Sequence, residues 1–342
     1  MKRLTLSFYG VNVLVECEDS SIIQDVKHDF SYFLSSPDRY NLKISLHIQK
    51  PDYDSLPPMT SQIATPRNIC FRKKNEIFID YFGKALNVYN HARSTCEIFS
   101  EDRSLAREII YLTILSRVSE FLDKKGLHRI HALGLEYRKH GILILLPAGG
   151  GKTTLALSVL LSPQSLIKLI SEDSPLVKSD GTLLPFPLRI GIYPEKLPPG
   201  IDTRYTRHLK RMEFDSKITV DVEFFADKIY PEPVKPSMIL IGERSTGNAS
   251  RIRRTSKTAI LKYCIINSVV GIGIYQGIEF IIQRSFLDLF GHIRIILSRL
   301  FNNLHLIRRS RIYIFTLGRN VPKNYRTLVQ FLENIYKKEK TP

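Results

Sequence analysis

The sequence predicts an α/β chain of two domains, a small α+β unit over residues 1–99 and a larger phosphate-loop domain over 100–342, joined by a helix over 100–125. Three observations predict it. Leu143 to Leu155 passes from an apolar run through Gly149-Gly150-Gly151 into Lys152-Thr153-Thr154, the order of strand, anion-binding turn and helix. Alternating apolar runs broken by Gly, Pro and Asn recur through the first hundred residues, as short strands do. With 342 residues, 43% of them hydrophobic, the chain is long enough to bury two cores.

Leu4 to Val15 reads as two strands around a turn at Gly10, Ile22 to Leu34 as a helix, and Leu42 to Ile48 as a half-buried strand. Pro51, Pro57, Pro58 and Pro66 mark a loop, after which strands resume at Ile69–Arg72, Glu76–Tyr81 and Ala85–Tyr89. Ser100 to Lys125 is the clearest helix. Ser100 is the expected cap, Glu101 and Asp102 suit its positive end, and Gly126 is the expected stop. Strands follow at Leu127–Tyr137 and from His140 into the glycines, then a helix from Leu155 and an apolar strand at Leu166–Ile170. Further on, Lys235–Gly242 and Arg311–Gly318 read as strands, and Ser285–Leu304 and Asn324–Lys338 as helices.

The net charge of +17, from 50 basic and 33 acidic residues, predicts an anionic partner. Nucleotide phosphates, an acidic peptide and nucleic acid all qualify. No nucleic-acid recognition motif accompanies the arginines, so that class is set aside. Cys17, Cys70, Cys96 and Cys264 are scattered without metal-ligand spacing and read as buried thiols of a reducing compartment. No signal peptide opens the chain, and the oily run Ala259–Ile282 is interrupted by Lys262, Asn267, Gln276 and Glu279. A cytoplasmic chain with no membrane partner is expected; self-association is left open.

The glycine cluster lets backbone N–H groups of Gly149, Gly150 and Gly151 turn toward phosphate oxygens at a helix N-terminus that Lys152, Thr153 and Thr154 open. Lys152 suits the β- and γ-phosphates of ATP, and the Thr153 hydroxyl suits Mg²⁺. One position departs from the usual pattern: Leu146 stands six residues before the lysine, where glycine is normal. The bland alternative is a glycine-rich turn carrying an exposed lysine. Glu172 and Asp173 close the next apolar strand, where a metal ligand and a base for an acceptor hydroxyl belong. Taken alone they are also an acidic turn ahead of Pro175, and His131, on the strand before the loop strand, is an ordinary histidine.

Together, His131-Ala132, Gly151-Lys152-Thr153 and Glu172-Asp173 resemble the catalytic domain of the HPr serine kinase/phosphorylase family over about residues 127–320. The resemblance implies a mixed β-sheet core like that of phosphoenolpyruvate carboxykinases, with ATP and Mg²⁺ as cofactors. It also implies transfer of phosphate to a serine hydroxyl of a peptide or small protein. It implies Asp173, Glu172 and His131 as catalytic residues and Thr153 with Glu172 as metal ligands. Glu172-Asp173 replaces the family's Asp-Asp, and the segment that carries phosphorolysis of phosphoserine is not found. Pro185–Arg189 and Ser216–Asp221 are closer to the divergent branch similar to lasso-peptide precursor kinases, which act on a C-terminal serine. Two basic clusters, Arg204/Arg207/Lys210/Arg211/Lys217 and Arg244/Arg251/Arg253/Arg254/Lys257, supply candidate anion contacts, among them Arg189 nearby and Lys217. A kinase for a small hydroxyl metabolite and a nucleotide-switched binding protein are the alternatives.

Overall fold

The computed structural model describes residues 1–147, 149–211, 215–260, 263 and 286–338, the side chains of 286–292 and 338 aside. Cys264 and most of the Ala259–Ile282 run lie outside the described residues. Among those described, the chain is mixed α/β, with one eight-stranded, one six-stranded and two three-stranded sheets. No described helix is long and apolar enough to cross a membrane. Two compact units emerge, and the chain visits the first of them more than once.

The first unit holds Met1–Leu122 and Leu188–Phe224, so its limit lies beyond residue 99. Its large sheet comprises β1 (Lys2–Phe8), β2 (Val11–Cys17), β3 (Leu42–His47), β4 (Ser61–Ala64), β5 (Ile69–Lys73), β6 (Glu76–Asp80), β7 (Ala85–Asn90) and β8 (Thr95–Ser100). Their order is β1-β2-β3-β8-β7-β6-β5-β4, with β2, β3 and β8 parallel and the rest antiparallel. Two of these strands differ from the sequence reading: β4 lies inside the proline-marked loop, and β8 follows the last expected strand. Helix α1 (Ser20–Asp29) starts where the Asp19 side chain accepts from Ser21 N, and Phe30 and Phe33 beyond it pack on Phe8.

Helix α2 (Arg103–Lys124) begins three residues later than expected. Its cap is Asp102, whose Oδ1 accepts from the N–H groups of Ser104 and Leu105 at 2.8 and 3.1 Å. Ser100 instead donates to the Lys84 carbonyl and supports the approach to the helix. Cys17, Cys70 and Cys96 are buried free thiols, as their scatter suggests.

The Leu188–Phe224 return brings a small antiparallel sheet, β15 (Ile190–Ile192), β16 (Thr206–Leu209) and β17 (Lys217–Val220), in the order β15-β17-β16. A buried charge cluster fastens it. Asp29, 1% exposed, is ion-paired to Arg189 and lies 3.2 Å from Arg107, which also donates to the His208 carbonyl at 3.0 Å. The Arg189 guanidinium stacks 3.6 Å from the Tyr111 ring centroid. Arg189, which the sequence suggested as a substrate contact, is thus held in a structural ion pair with its charge balanced within the unit. Lys217 likewise sits over the Tyr193 ring, 5.1 Å from its centroid. Arg189→Met should lower the denaturation midpoint, the loss being roughly 3–5 kcal/mol for a broken buried pair. Affinity for nucleotide should not follow.

The second unit takes Asp123–Pro187 with residues 225–260 and 293–338. Its sheet is built from β10 (Leu133–Tyr137), β11 (His140–Leu145), β12 (Lys168–Ser171), β18 (Pro236–Arg244), β19 (Arg251–Arg254) and β20 (Arg311–Leu317). The order is β12-β10-β11-β18-β20-β19. β11, β18 and β20 run parallel, while β10, β12 and β19 are antiparallel to their neighbours. A smaller sheet, β14-β13-β9, joins β9 (His128–Arg129), β13 (Leu176–Val177) and β14 (Leu183–Leu184). The apolar run Ile142–Leu146 is almost fully buried because β11 sits between two partners, and Leu143, Leu145, Ile239 and Ile241 share one core cluster. That burial is why a continuous apolar stretch precedes the glycines. Helix α3 (Lys152–Leu160) follows the loop; α4 (Phe286–Arg309) and α5 (Val321–Lys338) come later.

Candidate active site

The loop between β11 and α3 occupies the C-terminal end of a strand inside the sheet. Gly151 is the N-cap of α3 with φ of 101°, a left-handed conformation that favours glycine, and no side chain caps the helix. Donor groups at that helix end are thus left for an anion. Gly150 N donates to the Pro147 carbonyl at 2.9 Å, closing the turn; Ala148 lies outside the described residues. Thr154 is exposed in the first helical turn, and Thr153 is half-buried beside it.

Leu146 stands where glycine is usual, and the neighbouring strand makes room for it. A Cβ on Gly242 of β18 would lie 2.2 Å from Leu146 Cδ2 and 2.5 Å from its Cγ. Gly242→Ala should therefore push Leu146 and the start of the loop outward, at about 1–3 kcal/mol for overpacking. Nucleotide affinity measured by titration should fall, and adding Leu146→Ala should restore much of it.

Lys152 is buried, 6% exposed, rather than standing at an exposed mouth of the loop. Its Nζ donates to the Leu146 carbonyl at 3.0 Å and lies 2.7 Å from His131 Nε2. A protonated lysine only donates, so Nε2 accepts and the imidazole proton sits on Nδ1. Nδ1 in turn lies 3.2 Å from Asp173 Oδ1, without the alignment of a hydrogen bond. Lys152 Nζ is 3.7 Å from the same carboxylate oxygen. One imidazole thus bridges an ammonium and a carboxylate.

Backbone pairing explains how residues so far apart in sequence meet. His131 lies in a bend just before β10, not on the strand itself. Ala132 N donates to the Asp173 carbonyl at 3.0 Å, and Ile130 N to the Pro175 carbonyl at 3.1 Å. The antiparallel partnership of β10 and β12, with its register shift after Gly134, carries this pairing to the sheet end where the loop emerges.

Charge follows from burial and neighbours. Burial pushes the Lys152 ammonium below the usual lysine range, with Asp173 and then Glu172 opposing. For Asp173 burial works upward, yet the contact with the His131 Nδ1–H and the charges of Lys152 and Arg129 outweigh it and hold the carboxyl below the usual range. Its side chain keeps 42% of its surface, so it is the open member of the group. Glu172 faces a different partner: Thr153 donates its hydroxyl proton to Glu172 Oε1. The two adjacent carboxylates thus serve different neighbours: Asp173 lies beside His131 and Lys152, and Glu172 meets Thr153 in the first turn of α3.

Among the described residues no group of three or more His, Cys, Asp and Glu is placed to hold a metal ion. The Thr153–Glu172 pair still suits Mg²⁺, which takes one or two protein oxygens and completes its shell with phosphate and water. Two arginines go beyond the expected set. Arg129, buried, donates to Ser174 Oγ at 2.7 Å and adds positive charge near Asp173. Arg244, at the end of β18, brings its Nη1 to 3.3 Å from where a Gly151 Cβ would stand. The sequence offered Arg244 only as one of a cluster; its position next to the loop depends on β11 and β18 being parallel neighbours. Three others of that cluster, Arg251, Arg253 and Arg254, occupy the edge strand β19, where exposed charge discourages pairing with another chain. A scan against protein-family models finds no match to this chain, and a search of curated proteins finds no relative.

Proposed function

We propose that the chain is an ATP- and Mg²⁺-dependent kinase of the HPr serine kinase-like type, with the phosphate loop of a mixed-sheet catalytic domain. Its acceptor is a serine hydroxyl of a peptide or small protein. The observation that carries this reading is the convergence of Lys152, His131 and Asp173 beside an uncapped helix N-terminus whose Thr153 meets Glu172. Loop amides and Lys152 hold the phosphates, and Thr153 with Glu172 would hold Mg²⁺. The bound metal neutralises charge on the phosphate oxygens and keeps them in position.

Asp173 is placed to take the proton of the acceptor hydroxyl as that oxygen bonds to the γ-phosphorus. The bond from phosphorus to the bridging oxygen breaks, and ADP leaves with the negative charge it gains. A depressed carboxyl is a weak base, which suffices where the transition state is loose and positioning dominates. His131 acts as a positioning residue through its Nδ1–H, which faces the carboxylate. Lys152 balances the charge that builds on the transferred group.

The peptide class rests on the resemblance and on the net charge of +17, which draws an acidic or carboxylate-ended chain. Mass spectrometry after incubation with ATP, Mg²⁺ and a serine-ended acidic peptide should show gain of one phosphate, lost when that serine is alanine. Phosphorylation of free serine with no peptide product would replace the reading by a metabolite kinase. Nucleotide binding with no product of either kind would replace it by a nucleotide-switched binding protein.

A further inference from the structure

Helix α4 buries Leu306 and Ile307 in the core cluster and, along the same inward side, a row of polar side chains. Ser298 Oγ and His128 Nε2 are 2.7 Å apart, and Arg299 Nη2 donates to Asp123 Oδ2 at 2.6 Å. Asn302 Nδ2 donates to the carbonyls of Gly126 and Val177, both at 3.1 Å. His128 Nδ1 closes the set, 2.7 Å from Asp123 Oδ1. These bonds fix the rotation of the helix, because turning it would leave buried polar groups unpaired.

The opposite side carries oil. Ile293, Leu297, Phe301 and Leu304 are 41%, 59%, 60% and 56% exposed, and their spacing places them on one face. Arg294 and Arg308 are exposed on that same face, one toward each end. From residue 293 to 309 the helix contains no acidic residue. A monomer seldom leaves so many large apolar groups in one row without an occupant.

We propose that this face of α4 is a docking surface for an anionic lipid bilayer, on which the helix lies in the plane of the headgroups. Charge selects the occupant. A second copy would bring its own arginines against Arg294 and Arg308 with no carboxylate on the helix face to meet them. A bilayer of acidic lipid offers negative headgroups to both arginines, whose aliphatic stems extend along the apolar row. It also conforms to a convex single-helix surface and needs no matching groove. The chain's net charge of +17 adds long-range attraction. This is binding on the membrane, distinct from spanning it.

The chain has no tryptophan, so Phe301→Trp provides a single reporter on the face. With the full chain, vesicles of phosphatidylcholine doped with phosphatidylglycerol should shift its emission to the blue and co-sediment the protein; phosphatidylcholine alone should do neither. Leu297→Glu with Leu304→Glu should weaken co-sedimentation by at least tenfold, and both sites are exposed, so circular dichroism and melting should match the parent. No blue shift on acidic vesicles overturns the proposal, as does unchanged binding by the double variant. Sedimentation showing a dimer that the double variant abolishes, with no vesicle binding, assigns the face to a second copy. Retention by an acidic protein surface but not by vesicles assigns it to a protein partner; either result rejects the bilayer.

Discussion

Lys152→Met is expected to lower ATP turnover about 10²–10³-fold, the usual loss when one preorganised donor to a transition-state oxyanion is removed. Stability should change much less than turnover. The ammonium is 6% exposed and burial disfavours its protonation, so relief of that desolvation cost offsets the lost contacts with His131 and the Leu146 carbonyl. A structural lysine would behave the other way, with turnover and melting temperature falling together. The measurement is ADP release beside a thermal melt. Near-normal turnover would remove the phosphate-loop reading. The pH profile offers a second handle: because burial lowers its pKa, the alkaline limb of the wild-type rate should fall below the ~10.4 of an ordinary lysine.

The other large effect is at Asp173. Asp173→Asn should reduce phosphoryl transfer by about 10²–10⁴-fold, the range for loss of a general base, while nucleotide still binds. Glu172→Gln should instead raise the Mg²⁺ requirement, because Glu172 accepts from the hydroxyl of Thr153. The reverse split would exchange the two roles, and no effect from either would place the catalytic pair elsewhere. The sign of the pH dependence follows from the direction of the shift. With the folded-state value depressed, the ionised carboxylate stabilises the native state above the ~3.9 of an unfolded aspartate. That contribution disappears as pH falls through the folded value. The asparagine variant should lack this acid dependence.

Much of the strand, glycine turn and helix around Lys152 was legible because its signals are local. An apolar run, a glycine turn and Lys-Thr need only neighbours in sequence, and β11, the loop and α3 appear in that order. The burial of Lys152 was not legible. It depends on the pairing of the His131 and Asp173 segments, which no periodicity encodes. Leu146 looked like a defect in the motif because the compensating residue, Gly242, belongs to a strand nearly a hundred residues later. Arg189 looked available because its counter-charge, Asp29, is 160 residues distant. The start of α2 was misread by proximity: two capping-type residues, Ser100 and Asp102, lie close together, and which one caps depends on how β8 hands the chain to the helix.

The path of the chain also dictates an order of events during synthesis. Residues 1–122 leave the ribosome first, yet Asp29 and Arg107 acquire their partners Arg189, His208 and Thr219 only later. Until then a carboxylate destined for full burial stands beside an incompletely covered core. Between the two instalments the whole of β11, the glycine turn and α3 is made. The nascent chain must therefore hold an unfinished first unit while the strands of the second unit are still emerging, a long-range closure that slows folding. A fragment cut at residue 99 would share the difficulty permanently. It would keep Asp29 while losing both arginines that neutralise it, so the amino-terminal portion is a poor candidate for expression by itself.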